Sequence, residues 1–218
     1  MKSEEDTCGW GFESPWPHLT KRFLGLNVEV EIKYDVPDAS EMHSALERLG
    51  RLFKTDRQVD AYYNPPHKNF YALARPVEYL RVREYGDKAS FDYKFVYHEN
   101  GRRTHSDEYE TVVGSPEKLK KILSLLGFKE LCIVDKKRSM FDCGDFHVCL
   151  DEIAELGAFI EVESQKDFGG VSATRSAIEK FVEEKRLPIG GMSERAGYPD
   201  MILAKKGLFK IPGDGKKV

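Results

Sequence analysis

What this 218-residue chain lacks narrows its class before anything it contains. No stretch reaches the ~18 consecutive apolar residues of a membrane span. The opening segment, residues 1–22, is acidic and has no apolar run, so it does not read as a secretory signal. Cysteine is scarce: Cys8, Cys132, Cys143 and Cys149 form no Cys-x-x-Cys pair and no disulfide framework. The expectation is a reduced, cytoplasmic chain in which Cys132 and Cys149 serve as small strand hydrophobes. Cys143, His147 and Cys149 stand at a spacing that fits no common structural zinc site. An excess of one charge is missing too. Lys plus Arg total 34 and Asp plus Glu total 37, a net charge of -3, which disfavours a globally basic nucleic-acid binder. Neither a Walker A sequence nor Gly-x-Gly-x-x-Gly occurs, so no backbone cradle for phosphate is available. There is no internal repeat and no low-complexity tract.

What is present is a chain 40% hydrophobic and 33% charged, enough apolar residue for a core and an unusual amount of charge to place. At ~150 residues per domain it reads as one domain with short appendages. Residues 1–26 carry Pro15 and Pro17 without a clear period and read as an irregular extension, with Trp10 and Trp16 docking on the body. From Asn27 the pattern becomes strict alternation: Val28-Glu29-Val30-Glu31-Ile32-Lys33-Tyr34 puts apolar groups on one face and charges on the other. Three helices are predicted. Asp38 with Glu41 suggests a capping box before Met42, Ala45, Leu46 and Leu49, with Gly50 as the stop. Ser115-Pro116 opens the second, which ends at Gly127. The third begins near Ser172, presents Ala177, Ile178 and Phe181, and ends before Pro188. Strands are predicted at 28–34, 60–64, 79–85, 89–98, 103–112, 131–141, 146–151 and 158–164. Gly86-Asp87, a type I′ turn at Asn100-Gly101, and Cys143-Gly144-Asp145 join neighbours. About eight such strands tend to close into a barrel.

The charges fall on one face of nearly every strand. Glu29, Glu31 and Lys33 share a face, as do Arg81 and Arg83, Asp92 and Lys94, Glu108 and Glu110, Lys136 and Arg138, and Glu161 and Glu163; Asp151 stands on its own strand. One reading is a solvated outer face. The other is a charged interior with the helices outside, favoured because the polar face is almost all Arg, Lys and Glu and the opposite face is Val, Ile, Leu and Phe. Buried charges must be paired or held by ligand. Six cations, Lys33, Arg81, Arg83, Lys94, Lys136 and Arg138, suit a polyanion. The carboxylates Glu29, Glu31, Glu161 and Glu163 suit a hard divalent cation. Together these are the requirements for handling a nucleoside triphosphate or polyphosphate.

On these motifs the chain resembles the CYTH superfamily, the triphosphate tunnel metalloenzymes, which include class IV adenylate cyclases and thiamine triphosphatases. The defining Glu-x-Glu-x-Lys stands as Glu29-Val30-Glu31-Ile32-Lys33, and Gln58-Val59-Asp60-Ala61-Tyr62-Tyr63 looks like the second-strand motif of the cyclase-like branch. Leu80-Arg81-Val82-Arg83 matches the paired-arginine strand, and Tyr93-Lys94 follows Asp92 where the family has threonine. Lys136 and Arg138 supply Lys-x-Arg, and Leu150-Asp151 with Leu156-Gly157-Ala158-Phe159-Ile160-Glu161-Val162-Glu163 looks like the family's ending. The C-terminal Ser-Tyr is only loosely echoed by Gly197-Tyr198.

The resemblance implies an α+β fold, an eight-stranded antiparallel β-barrel or tunnel with helices packed outside. The tunnel domain would span 27–200 and a tail 201–218. By resemblance, Glu29, Glu31, Glu161 and Glu163 would bind Mg²⁺ or Mn²⁺. Lys33, Arg81, Arg83, Lys94, Lys136 and Arg138 would hold the triphosphate, and Glu29, Glu31, Lys33 and Asp151 would be catalytic. Glu108 and Glu110 would orient the cations or form structural ion pairs. The implied activity is conversion of ATP to cyclic AMP and pyrophosphate. The alternatives are a triphosphatase for tripolyphosphate, thiamine triphosphate or nucleoside triphosphates, or a non-catalytic binding module. No nucleic-acid or membrane partner is expected, and a homodimer is left open.

Overall fold

The structure is a computed structural model that describes residues 28–99, 102–193 and 196–211. The N-terminal extension with Trp10 and Trp16, and the Asn100-Gly101 turn, lie outside the described residues. In chain order the elements are β1 (Val28–Glu29), β2 (Glu31–Val36), α1 (Ala39–Leu49), β3 (Arg51–Asn64), β4 (Glu78–Tyr85), β5 (Lys88–Glu99) and β6 (Arg102–Val112). They continue as α2 (Pro116–Leu125), β7 (Lys129–Asp142), β8 (Phe146–Ile153), β9 (Gly157–Ser164), α3 (Val171–Glu184), β10 (Gly191–Met192) and α4 (Tyr198–Lys205). All strands join one antiparallel sheet in the order β1-β6-β5-β4-β3-β7-β8-β9-β2-β10.

The described residues hold ten strands where eight are predicted. The difference has two sources. The first alternating segment breaks at Val30, so Val28 pairs with Asp107 on β6 while Glu31 pairs with Glu163 on β9. The short β10 then adds to the free edge of β2, Gly191 opposite Asp35. The break also closes the sheet, because β6 and β9, far apart in the strand order, meet at the two halves of one segment. Ser164 N donates to Val30 O at 3.2 Å at this seam. Contacts across the ends agree: Arg103 on β6 and Lys94 on β5 both reach Glu31 on β2, at 2.6 and 3.2 Å.

Alternation decides which face is dry. Val30, Ile32, Tyr34 and Val36 bury against Met42 and Leu46 of α1 and Ile178 and Phe181 of α3, with Val148, Ile160 and Val162 beside them. Each such side chain contributes ~1.5–3 kcal/mol on burial. Ala61, Tyr63, Leu80 and Val82 pack in the same way on Leu123 of α2. The opposite face, with the charges, turns inward.

The helix starts follow local chemistry. Asp38 Oδ1 accepts from Ser40 N and Glu41 N at 2.8 and 3.0 Å and caps α1. Pro116 sits at the start of α2, and Gly127 beyond its end takes φ +84°, where only glycine is unstrained. Gly50 differs from the expected left-handed stop: its φ is −154°, and it is glycine because a Cβ there would lie 2.4 Å from Asp142 O.

The fourth helix corrects two expectations. Met201–Lys205 of the predicted tail belong to α4, and Phe209 beyond it packs edge-on to Tyr71 at 5.3 Å. Nor does α4 cover the outside. Its Tyr198, Ile202 and Leu203 pack with Tyr62, Cys132, Val134, Ile153 and Phe159, which share strand faces with the interior charges. At this end the inner face is apolar, so burying it requires an apolar plug. No helix among the described residues is long and apolar enough to cross a membrane.

Candidate functional site

The closed sheet gathers the charged residues into three linked groups. In the first, Lys94 Nζ donates to Glu29 Oε2 at 2.5 Å and Glu31 Oε1 at 3.2 Å and pairs with Glu108 Oε2 at 3.2 Å. Arg103 Nη2 pairs with the same Glu31 Oε1 at 2.6 Å. In the second, Arg81 spans Asp92 Oδ2 at 2.7 Å and Glu108 Oε1 at 2.9 Å, and Arg83 grips Asp60 with two bonds of 2.7 Å. In the third, Arg138 grips Asp151 at 2.6 and 2.5 Å and also pairs with Glu161. Lys136 Nζ and Tyr198 OH complete that group, donating to Asp151 Oδ2 at 3.3 and 2.9 Å. Lys33 Nζ lies 4.4 Å from the Tyr198 ring centre and donates to Ala196 O at 2.6 Å.

All eleven residues named as site candidates therefore sit on the inner face, and Glu108 joins them as a bridge between Arg81 and Lys94. Glu110 is exposed and makes no ion pair among the described residues. Two further inward residues, Asp60 and Arg103, were not named as site residues, and alternation hides only Arg103. Asp60 carries the right parity on β3, between Gln58 and Tyr62, and was legible as an inward carboxylate. Arg103 has the wrong parity relative to Glu108. A register shift opposite Tyr97 and His98 leaves Thr104 as an extra residue and brings Arg103 inward.

Burial divides these carboxylates. Burial and the neighbouring Glu31 push Glu29 up to about 8. Burial with Glu29 and Glu31 beside it holds Glu163 well above the usual range. Burial opposes ionisation of Glu31 too, but Lys94 and Arg103 outweigh it and lower its pKa. Burial likewise opposes Glu161, which Arg138, Lys136 and Lys33 hold well below the usual range. Burial, helped by Arg138, brings Lys136 down to about 8, and burial lowers Lys33.

The donor set fits a hard divalent cation in one respect: Glu163 is buried, has no hydrogen bond or ion pair among the described residues, and faces Glu31 in register. Such a carboxylate takes a proton or a metal ion. As placed, no three His, Cys, Asp or Glu side chains among the described residues converge tightly enough to hold an ion. The reason is visible in the pairing: Glu29 and Glu31 point to Lys94, and Glu161 points to Arg138.

Comparison with known proteins gives the following likenesses. The CYTH domain model matches residues 27–187. A Methanocaldococcus jannaschii protein, provisionally named an adenylate cyclase, is 28% identical over 157 residues, covering 72% of this chain and 86% of its own. The adenylate cyclase CyaB of Aeromonas hydrophila is 24% identical over 153 residues, covering 69% and 73%. A solved Pyrococcus horikoshii protein superposes with a TM-score of 0.69 at 26% identity over 81% of this chain and 99% of its own. A Hippeastrum protein, provisionally an adenylyl cyclase and described with a dominant triphosphatase activity, superposes at 0.55 with 19% identity over 84% and 98%.

Proposed function

The chain belongs to the CYTH domain family, and from that premise we propose that it is a metal-dependent enzyme acting on a triphosphate inside the sheet, an adenylate cyclase that converts ATP to cyclic AMP and pyrophosphate. The observation that carries the triphosphate reading is the interior itself, where Lys33, Arg81, Arg83, Lys94, Lys136 and Arg138 converge from four strands. Guanidinium forks and ammonium groups at that density match phosphate oxygens. The names of the two curated relatives support the cyclase reaction.

In this reading the six cations hold the triphosphate and neutralise charge on the leaving pyrophosphate. Asp151 positions Arg138, which it binds through both oxygens, and Lys136, which it binds through Oδ2. Glu29, Glu31, Glu161 and Glu163 would hold Mg²⁺ or Mn²⁺, which when bound would supply a Lewis acid to make the attacking hydroxyl more acidic. The ribose 3′-oxygen bonds to the α-phosphorus, the bond from that phosphorus to the bridging oxygen breaks, and pyrophosphate leaves with the electron pair. The hydroxyl proton passes to solvent water.

A second reading, a triphosphatase in which water attacks a terminal phosphorus, is favoured by α4. A nucleotide needs apolar contact for its base at one mouth, and at this mouth Tyr198, Ile202 and Leu203 already fill the apolar inner face. The test is product analysis by chromatography and phosphorus NMR after incubation with Mg²⁺ or Mn²⁺ and ATP, tripolyphosphate or thiamine triphosphate. Cyclic AMP with pyrophosphate supports the cyclase. Orthophosphate without cyclic nucleotide moves the assignment to the triphosphatase. No turnover of any of the three removes the enzyme reading.

A further inference from the structure

We propose that Arg103 is an additional substrate-binding residue, which exchanges Glu31 for a phosphate oxygen of the bound triphosphate; this rests on the triphosphate reading above. Three observations carry it. The first is how Arg103 comes to face inward. On β6, Ser106 and Glu108 are inward, so an unbroken strand would turn residue 103 to the outside. Tyr97 pairs with His105 and His98 with Arg103, leaving Thr104 out of the ladder. Its hydroxyl holds the bulge, donating to Tyr97 O at 3.2 Å. A bulge re-aims a side chain at the cost of regular pairing, and here the side chain re-aimed is a guanidinium.

The second observation is a half-used donor edge. Arg83 and Arg138 each use the Nε and Nη2 edge to grip both oxygens of one carboxylate, Asp60 and Asp151. Among the described residues Arg103 uses only Nη2, on Glu31 at 2.6 Å and Ser106 Oγ at 3.2 Å. Its Nε is buried with no hydrogen-bond partner among the described residues. An unsatisfied buried donor costs ~1–3 kcal/mol, more beside charge. Glu31 meets Nη2 through the Oε1 it also shares with Lys94 at 3.2 Å, and as placed neither of its oxygens bonds to Nε. The third observation is that sharing. Two cations, from β5 and β6, converge on a single anionic oxygen, an arrangement that a phosphate oxygen can take over. A phosphate offers neighbouring oxygens at the spacing the Nε and Nη2 edge needs.

The bland account is that Arg103 only neutralises Glu31. Calorimetric titration with inorganic tripolyphosphate, without and with Mg²⁺, separates the two for the full chain, Arg103→Gln and Arg103→Lys. If Arg103 holds phosphate, Arg103→Gln weakens tripolyphosphate binding about 10- to 100-fold. Arg103→Lys recovers only part of the loss, because it keeps the charge and loses the fork. In turnover the same variants raise KM more than they lower kcat. Binding by Arg103→Gln within twofold of the unaltered chain overturns the proposal, and so does full recovery by Arg103→Lys, which would reduce the role to charge. If Arg103→Gln does not fold, Arg103→Lys alone decides: binding within twofold of the unaltered chain overturns the role. If the unaltered chain binds neither tripolyphosphate nor ATP, the triphosphate reading fails and takes this role with it. Loss confined to Arg103→Gln, with the unaltered chain binding normally, leaves that reading standing and assigns the phosphate contact.

Discussion

Glu163 faces Glu31 across the ladder between β2 and β9, and the cations around it are engaged by other carboxylates. Burial and two like charges raise its pKa well above the usual range, so its ionised form destabilises the fold unless a cation arrives. Glu163→Gln therefore leaves the thermal midpoint unchanged or raises it, while metal-dependent turnover falls by more than ~100-fold. Thermal unfolding and turnover assays read the two effects; a large loss of stability would show that Glu163 is structural. Glu29 gives a pH signature. Its folded-state pKa is about 8 against the usual 4.5. A proton held more tightly when folded gives stability that is complete below the unfolded value and is lost as pH rises through the folded one. In the presence of chelator, the stability advantage of the unaltered chain over Glu29→Gln should shrink between about pH 5 and pH 9, read from urea midpoints. A constant difference across that range would contradict the assignment. At this scale the sequence shows most of the site, because eight of the eleven candidate residues alternate in step with apolar neighbours, while Lys136 and Arg138 stand among Asp135, Lys137 and Ser139 and Asp151 follows its strand. Arg103 was hidden because one bulged residue reverses the parity on which alternation depends.

Among the elements, α1 and α2 were legible because apolar stripes and start signals coincide, Asp38 before Met42 and Leu46 and Pro116 before Leu123, while α3, which has no side-chain cap, was legible from Ile178 and Phe181 alone. The helix α4 was not. At eight residues it is too short for a periodic signal, and its burial comes from plugging the end of the sheet. The first half of β3 was missed as well. Residues 51–57 are mostly polar and partly exposed, so their strand conformation comes from pairing with β7 along Leu52, Lys54, Thr55 and Asp56. The junction of α1 and β3 offers a test of the packing. Gly50 has ordinary extended geometry, but a Cβ would lie 2.4 Å from Asp142 O and 2.6 Å from Cys143 Sγ. Gly50→Ala should destabilise by ~1–3 kcal/mol through overpacking, measured by urea unfolding. An unchanged midpoint would mean that the β7 end yields freely.

At the scale of the whole molecule, the alternating pattern left open whether the charged face is wet or enclosed. Closure depends on one residue, Val30, where the first segment leaves β6 and joins β9, and that switch leaves no mark on alternation. Once closed, the sheet places anions and cations from β1 through β9 against one another, and ion pairs at 2.5–3.3 Å link them. Buried pairs of this kind contribute little net stability, which agrees with the proposed role in ligand binding. The most direct test is a crystal structure with Mn²⁺ and tripolyphosphate, with the ion located by anomalous scattering. The account predicts an anomalous peak inside the sheet beside Glu31 and Glu163, with phosphate oxygens on Arg81, Arg83, Lys136 and Arg138. A peak and an anion outside the sheet, with Glu31 still on Lys94 and Arg103, would contradict it.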